Sequence, residues 1–460
     1  MEARRKVSRR EFLRVAALAT TGLAVASCAP KATPTPAPTK PTAAPTPLPT
    51  STPVPPTKAP VTLEYWQAWG DPTIVEVESN ICKRFGEETP GIQINYTKVP
   101  FEQSHEKLVT SFAAGAGPDL WMCTLVYNAE FAASGYQAPL EEYFVASGIE
   151  KDLVPASMLE ARYKGKPTAL PQNLDLYVQF ARIDILKEHG VDIPDKLTDI
   201  LETGLKITDP AKPLYMFPVR GQRHTHQMMW CLIMSEVGPG YNNTMFDEKG
   251  NCLLRTEKAL QAYKWWADLL LKHKISPPSS PTDQIPETRQ QVFGGTLATH
   301  WDFIGASAGY AQNLKPIEQF VTAPLPAGSA GRAHTYGGNG YMINKASKVK
   351  DEAWKALEYF LKPANNAALC EATGILPANL KAYDAEWLQS PIFQNCLEVL
   401  KRPEWMELLP TWLPEWPKYV VEVSIDNNTK CFTGKLSPEE ALKNQADYVE
   451  AAYKKWLESA

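Results

Sequence analysis

Val61-Thr62-Leu63-Glu64-Tyr65-Trp66 alternates apolar and polar residues, as a half-buried strand does. Gln67-Ala68-Trp69-Gly70-Asp71-Pro72 follows as a turn. Ile74, Val77, Ile81 and Phe85 then recur at helical spacing until Pro90-Gly91 stops the helix. Ile92-Gln93-Ile94-Asn95-Tyr96 reads as a second strand. Leu108 and Phe112 mark the inner face of another helix, closed by Ala114-Gly115-Ala116-Gly117-Pro118, and Asp119-Leu120-Trp121-Met122 is a third strand. Strand, helix, strand, helix, strand predicts an α/β fold on a parallel sheet covered on both faces. Sheets of this kind bind ligands beyond the carboxyl ends of their strands.

Upstream of this unit the chain has a different character. Ser8-Arg9-Arg10-Glu11-Phe12-Leu13-Arg14 leads into an apolar run from Val15 to Val25, which reads as an export signal with a twin-arginine start at Arg9 and Arg10. The run is shorter than the roughly 20 apolar residues a membrane span needs. Leu23-Ala24-Val25-Ala26-Ser27-Cys28 resembles the lipobox of bacterial lipoproteins. That likeness implies cleavage before Cys28 and lipid attachment to it. From 29 to 60 twelve prolines alternate with threonine and alanine, without an aromatic residue; such a segment cannot bury a core. As polyproline II at about 3.1 Å per residue it would reach on the order of 90–100 Å. The expected layout is a signal peptide over 1–28, a linker over 29–60, and a folded body from Val61 onward.

The folded body has room for two lobes. Past the signal and linker, 38 basic residues face 49 acidic ones, which argues against nucleic acid as a partner, because phosphate binding needs a basic surface. Setting Cys28 aside, seven scattered cysteines remain: Cys82, Cys123, Cys231, Cys252, Cys370, Cys396 and Cys431. With no Cys-x-x-Cys pair among them, they are expected to be mostly small apolar fillers, with room for one or two bridges.

Several segments together resemble the extracellular solute-binding proteins of sugar-importing ABC transporters. They are the strand ending in Tyr65-Trp66, Phe85 with Pro90-Gly91-Ile92, Gly115-x-Gly117-Pro118-Asp119-Leu120, and Ile185-Leu186-Lys187-Glu188-His189-Gly190-Val191 with Pro194. Phe293-Gly294-Gly295 leading to Trp301, Gly337-Gly338-Asn339-Gly340-Tyr341, Ser347-Lys348-Val349-Lys350 and Gly374-Ile375-Leu376-Pro377 continue the likeness to the end of the chain. It implies a two-lobed fold like that of periplasmic binding proteins, with strand crossovers, a hinge and a ligand cleft between the lobes. By position the crossovers fall near Leu170–Asp175, Glu318–Phe320 and Ile375–Pro377. The N-terminal lobe is then 61–172 with 319–374, and the C-terminal lobe 173–318 with 375–460. The implied partners are a carbohydrate ligand, the permease subunits of an ABC transporter, and the membrane through Cys28, on the extracytoplasmic face. A monomer without cofactor or metal is expected.

A sugar ring offers an apolar C–H face and a rim of hydroxyls, so its binders pair indole rings with carboxylates and amides. Trp66, Trp69 and Asp71 after the first strand, and Trp301 with Asp302, are candidate ligand contacts on that chemistry. Asp119, at a strand start, and Gln172 and Asn173, at the first crossover, join them. So do Gly338 and Asn339, where backbone could approach a ligand closely, and Trp230 and Trp416, which the family resemblance suggests. Three patterns point elsewhere. Gly305-Ala306-Ser307-Ala308-Gly309 matches the serine-hydrolase elbow, which needs a preceding strand and a later acid and histidine; no strand is expected before it, and His334 is the only histidine after it, with Glu318 the only acid between. His224-Thr225-His226 would set two imidazoles on one face of a strand, a metal pair without a third ligand. Glu141-Glu142 and Glu439-Glu440 are ordinary helix starts, the latter within a capping box, Ser437-Pro438-Glu439-Glu440, that opens the C-terminal helix. No catalytic set emerges, so the chain is expected not to be an enzyme. The rivals are a tethered polysaccharide hydrolase, or the same fold carrying peptide, polyamine, glycerol phosphate or metal. Phosphate would call for Arg220, Arg223, Arg289 and Arg332 to converge.

Overall fold

The computed structural model describes residues 60–68, 72–209, 211–238, 245–247 and 249–459. Arg9, Arg10, Cys28, Trp69 and Asp71 lie outside the described residues. The first unit forms as read: β1 Val61–Gln67, α1 Pro72–Glu88, β2 Ile92–Lys98, α2 Phe101–Ala113 and β3 Leu120–Thr124. β1 runs parallel to both β2 and β3. Ile74, Ile81 and Phe85 of α1 and Leu108 of α2 are buried against this sheet, because each recurs on the one face the sheet can cover.

The chain then passes through α3 Pro155–Glu160 and β4 Leu170–Pro171 into β5 Asn173–Arg182, the longest strand. Around β5 a second sheet assembles from β6 Thr299–Phe303, β7 Phe320–Ala323, β8 His334–Gly337, β10 Leu376–Pro377 and β11 Met406–Leu408, whereas β9 Asn339–Ile343 belongs to the first. The orders are β2-β1-β3-β9-β4, and β10-β5-β8-β11 with β6 and β7 also on β5. Both sheets are mixed. In the first, β9 runs antiparallel to β3 and β4; in the second, every neighbour of β5 is antiparallel to it and only β8 and β11 run parallel. One apolar core surrounds the first sheet and two lie on the faces of the second.

Between the sheets the chain crosses at Gln172 and again at Gly338. The crossing expected near Glu318–Phe320 does not occur there. Phe320–Ala323 is instead a strand of the second sheet, in register with Gln179 to Arg182. The third passage leads from α6 Pro363–Glu371, which follows α4 Thr225–Val237 and α5 Lys350–Phe360 in the chain, into β10. At Gly338 a side chain is sterically barred: a Cβ there would lie 2.4 Å from the Asn173 carbonyl oxygen. The two crossing segments are laced together. Asn173 Oδ1 accepts from the Asn339 amide (2.8 Å), Gln172 N–H donates to the Asn339 carbonyl (2.8 Å), and Gly338 O accepts from Leu125 N–H (2.9 Å).

Two readings change in the structure. Although His224-Thr225-His226 was expected on a strand, it opens α4, with His224 in the left-handed region (φ 68°). Every residue from Thr225 to Ser235 is buried, and a segment covered on all sides is satisfied by a helix's internal hydrogen bonds. No group of three metal-ligating side chains occurs among the described residues. Before Gly305-Ala306-Ser307-Ala308-Gly309 there is a strand after all, β6. Ser307 is buried and its hydroxyl donates to the Ile304 carbonyl (2.6 Å), so it opens a short helix rather than presenting a nucleophile.

Candidate functional site in the cleft between the sheets

Strand direction determines where a ligand can meet both sheets. β1 and β3 end at Gln67 and Thr124, β9 begins there at Asn339, β5 begins at Asn173, and β6 and β8 end at Phe303 and Gly337. These ends converge on the crossovers, so the floor of the cleft is Gln172-Asn173, Gly337-Gly338-Asn339 and the start of β5.

Two carboxyls stand at this floor. Asp175 is half-buried, with Oδ1 accepting from the Gly305 amide (3.1 Å). Burial pushes it up to about 7, partly offset by the Gly305 N–H. Glu160, at the end of α3, is almost wholly buried beneath Gly337 and Gly338. Burial raises it to about 8 against the pull of the Gly338 N–H. Its Oε1 has no hydrogen-bond partner among the described residues.

The wall on the first sheet's side carries Trp66, half-buried with the Lys107 ammonium 4.4 Å from its ring centroid, and Tyr127 in the turn Leu125–Tyr127 after β3. On the opposite side Phe303 ends β6, with the His224 ring edge-on at 4.9 Å. Behind it α4 brings His226 and, one turn on, Trp230. The Trp416 indole of α7 Trp416–Lys418 lies edge-on to His226 (6.3 Å). α7 touches the Leu125–Tyr127 turn, and Val126 of that turn packs into the second sheet's core. The two sides therefore meet here. Arg223 also bridges them, pairing with Glu102 (3.5 Å) and lying 4.5 Å over the Phe101 ring. Along this seam His224 Nδ1, His226 Nδ1, Gln227 Oε1, Trp230 Nε1 and Trp416 Nε1 are buried without a partner among the described residues. Buried polar atoms are rarely left so. Burial lowers His226 to about 3, so its imidazole is neutral and can donate and accept.

Of the expected contacts, Gln172, Asn173, Gly338 and Asn339 come together at the floor; Trp66 stands one residue before the end of β1, half-buried against the first sheet's core, and Trp230 and Trp416 lie behind the second wall. The others do not join them. Asp119 sits at the far end of β3, where Oδ2 accepts from Glu64 N–H (3.0 Å) and Oδ1 from the Ser347 hydroxyl (2.7 Å). Trp301 is 1% exposed, its ring in the core edge-on to Phe217 (5.0 Å). Asp302 is equally buried and bound to Arg289 Nε (2.7 Å). Burial works to raise Asp302, but Arg289 and His300 hold it below the usual carboxylate range. Alternation along β6 explains this: the positions that pair with Val178 and Gln179 in mid-strand face the two cores, and only Phe303 reaches the end. Tyr127, Phe303, Asp175 and Glu160 were not singled out in the sequence as ligand contacts, and His224 only as half of a metal pair. A lone acid between Leu174 and Leu176 was a usable sign for Asp175; Glu160 gave none.

The model of the bacterial extracellular solute-binding protein family matches residues 71–367, well over half of the chain. The chain belongs to that family. As a bacterial extracellular solute-binding protein it works by binding, not catalysis. A protein of Brucella abortus described as a binding protein is 24% identical over 404 residues, covering 86% of this chain and 93% of that one. The arabinooligosaccharide-binding protein of Bacillus subtilis is 26% identical over 282 residues, covering 58% and 61%. The sugar-binding protein of Xanthomonas citri has the same fold, with a TM-score of 0.73 at 21% identity over 87% of this chain and 99% of that one.

Proposed function

We propose that this solute-binding protein captures a carbohydrate in the cleft between its sheets and delivers it to an ABC import permease, held to the membrane by a lipid on Cys28. The observation that carries the ligand class is the set of half-exposed rings near the strand ends (Trp66, Tyr127, Phe303) beside a seam of buried donors and acceptors without a partner among the described residues. Flat faces beside amide, imidazole and carboxyl groups match a sugar's C–H face and hydroxyl rim. The name of the arabinooligosaccharide-binding relative supports the same class. The lobes built around the two sheets would close on the ligand like jaws, and the permease would read the closed form.

The arginines favour a neutral cargo over a phosphate. Arg289 is paired with Asp302, Arg332 with Asp195 and Arg223 with Glu102. Arg220, buried against His300, is alone among the four in showing no carboxylate in contact among the described residues.

The test is tryptophan-fluorescence titration with a panel of mono- and oligosaccharides and with glycerol phosphate. A saturable response to a sugar and none to the phosphate is expected; silence across all sugars would sink the ligand class. Trp66→Ala is expected to weaken sugar binding at least tenfold while leaving the melting temperature within about 2 °C, since loss of one stacked ring removes about 1–3 kcal/mol of contact at a half-exposed site. For the anchor, Cys28→Ala should move the protein from the membrane to the soluble fraction of the producing cell. If the variant stays with the membrane, the lipid is not what holds it.

A further inference from the structure

Glu78 of α1 is fully buried in the first sheet's core, remote in sequence from every residue of the cleft. Three tyrosines converge on its carboxylate. Tyr65 of β1 and Tyr341 of β9 donate to Oε1 at 2.6 and 3.3 Å, and Tyr96 of β2 donates to Oε2 at 3.3 Å. Tyr341 does not end there. Its oxygen accepts from Gln172 Nε2 (2.5 Å), Gln172 Oε1 accepts from Asn173 Nδ2 (3.1 Å), and Asn173 Oδ1 accepts from the Asn339 amide (2.8 Å). An unbroken chain of hydrogen bonds thus runs from a buried acid to both segments that cross between the sheets.

We propose that Glu78 is a positioning residue for the hinge: through Tyr341 and Gln172, its proton state sets how firmly the chain is held at the two crossovers. Ionised, the carboxylate accepts all three hydroxyls, and the Tyr341 oxygen stays free for Gln172. Protonated, the carboxyl becomes a donor and needs an oxygen within this ring of hydroxyls. Turned on Tyr341, it competes with Gln172 for that oxygen and the Tyr341 hydroxyl loses its acceptor. Burial raises Glu78 to about 7, against the three hydroxyls that favour its charge, so the change falls within the neutral range.

The other groups facing it do not titrate there. From its own helix comes Cys82, raised by burial; from β1, β2 and β9 come Tyr65, Tyr96 and Tyr341, all raised. Cys370 of α6, also raised, faces Tyr341 from behind. α5 contributes the apolar Phe360 ring, 5.6 Å from Tyr65 and 5.4 Å from Tyr341.

The test needs no ligand, so it stands apart from the question of cargo. Hydrogen exchange of the Gln172 and Asn339 amides is measured on the full chain at pH 8 and pH 6 and corrected for base catalysis. Wild-type protection is expected to fall about five- to tenfold at pH 6, the worth of one hydrogen bond. Glu78→Gln should show no difference between the two pH values. Tyr341→Phe, which leaves Glu78 with Tyr65 and Tyr96, should also show none, and it decides the matter if Glu78→Gln does not fold. Equal wild-type protection at the two pH values, or an undiminished drop in Tyr341→Phe, would overturn the proposal.

Discussion

Trp301→Ala is expected to destabilise the protein by about 3–5 kcal/mol, seen as a lower denaturant midpoint at unchanged slope. The indole is 1% exposed and packs edge-on against Phe217 in the large core on one face of the second sheet. Truncation removes the transfer free energy of a large apolar group and leaves a cavity that strands β5 and β6 are too rigid to close. Because Nε1 has no hydrogen-bond partner among the described residues, the whole loss comes from packing. The residue type alone suggested a stacking platform for a sugar. Were the variant as stable as wild type within about 1 kcal/mol but unable to bind a sugar that the wild type binds, the ring would belong to the cleft and the packing argument would be wrong.

Glu160→Gln is expected to stabilise the protein at alkaline pH and to leave it unchanged near pH 5. In the unfolded chain this carboxyl ionises near the usual 4.5; in the folded protein burial delays ionisation until about pH 8. Between those values the unfolded state gives up a proton that the folded state keeps. Wild-type stability from this group is therefore complete below the unfolded value, falls as pH rises, and is fully lost above about 8. At 1.36 kcal/mol per unit the difference is bounded by about 5 kcal/mol, and relaxation of the site makes a gain of about 2–3 kcal/mol at pH 9 the reasonable expectation. Glutamine keeps an oxygen for the Gly338 amide and cannot ionise. His226, His300 and His334, which burial lowers to about 3, 3 and 4, destabilise both proteins alike below pH 6.5, so the difference between the two pH–stability curves isolates Glu160. Parallel curves from pH 5 to 9 would mean that the carboxyl is solvated and the floor of the cleft is wet.

The elements of the first unit were legible because each carries its own punctuation. Pro90-Gly91 ends α1, and the period of Ile74, Ile81 and Phe85 has one solution. The capping box at the C-terminal helix was equally plain, and the Ser437 hydroxyl and the Glu440 carboxylate exchange their bonds as expected (3.2 and 3.1 Å). Pairing partners were harder. Position along the chain put a crossover near Glu318–Phe320, but Phe320–Ala323 pairs with β5 inside the second sheet and the second crossover falls at Gly338. Side-chain identity was least informative for tryptophan. Trp66 and Trp301 are equally aromatic and each stands in a strand, yet Trp66 is one residue from its strand's end and half-exposed, while Trp301 is two residues in and buried. Whether an indole stays half-exposed or enters the core depended on that offset. For the same reason the α4 stretch misled: two histidines at spacing two suit a strand, but eleven consecutive buried residues require backbone bonds that only a helix supplies internally.

The seven cysteines of the folded body are all buried and unbridged, and burial raises each thiol. Outside the cytoplasm, where oxidants abound, their reduced state is thus maintained by enclosure and not by chemistry. Each sulfur is a timer that starts when its own part of the core opens: Cys82 and Cys123 for the first sheet, Cys231, Cys252, Cys396 and Cys431 for the second, and Cys370 of α6 for the crossing at Gln172. The order in which they react with a thiol reagent would record which part of the protein comes apart first.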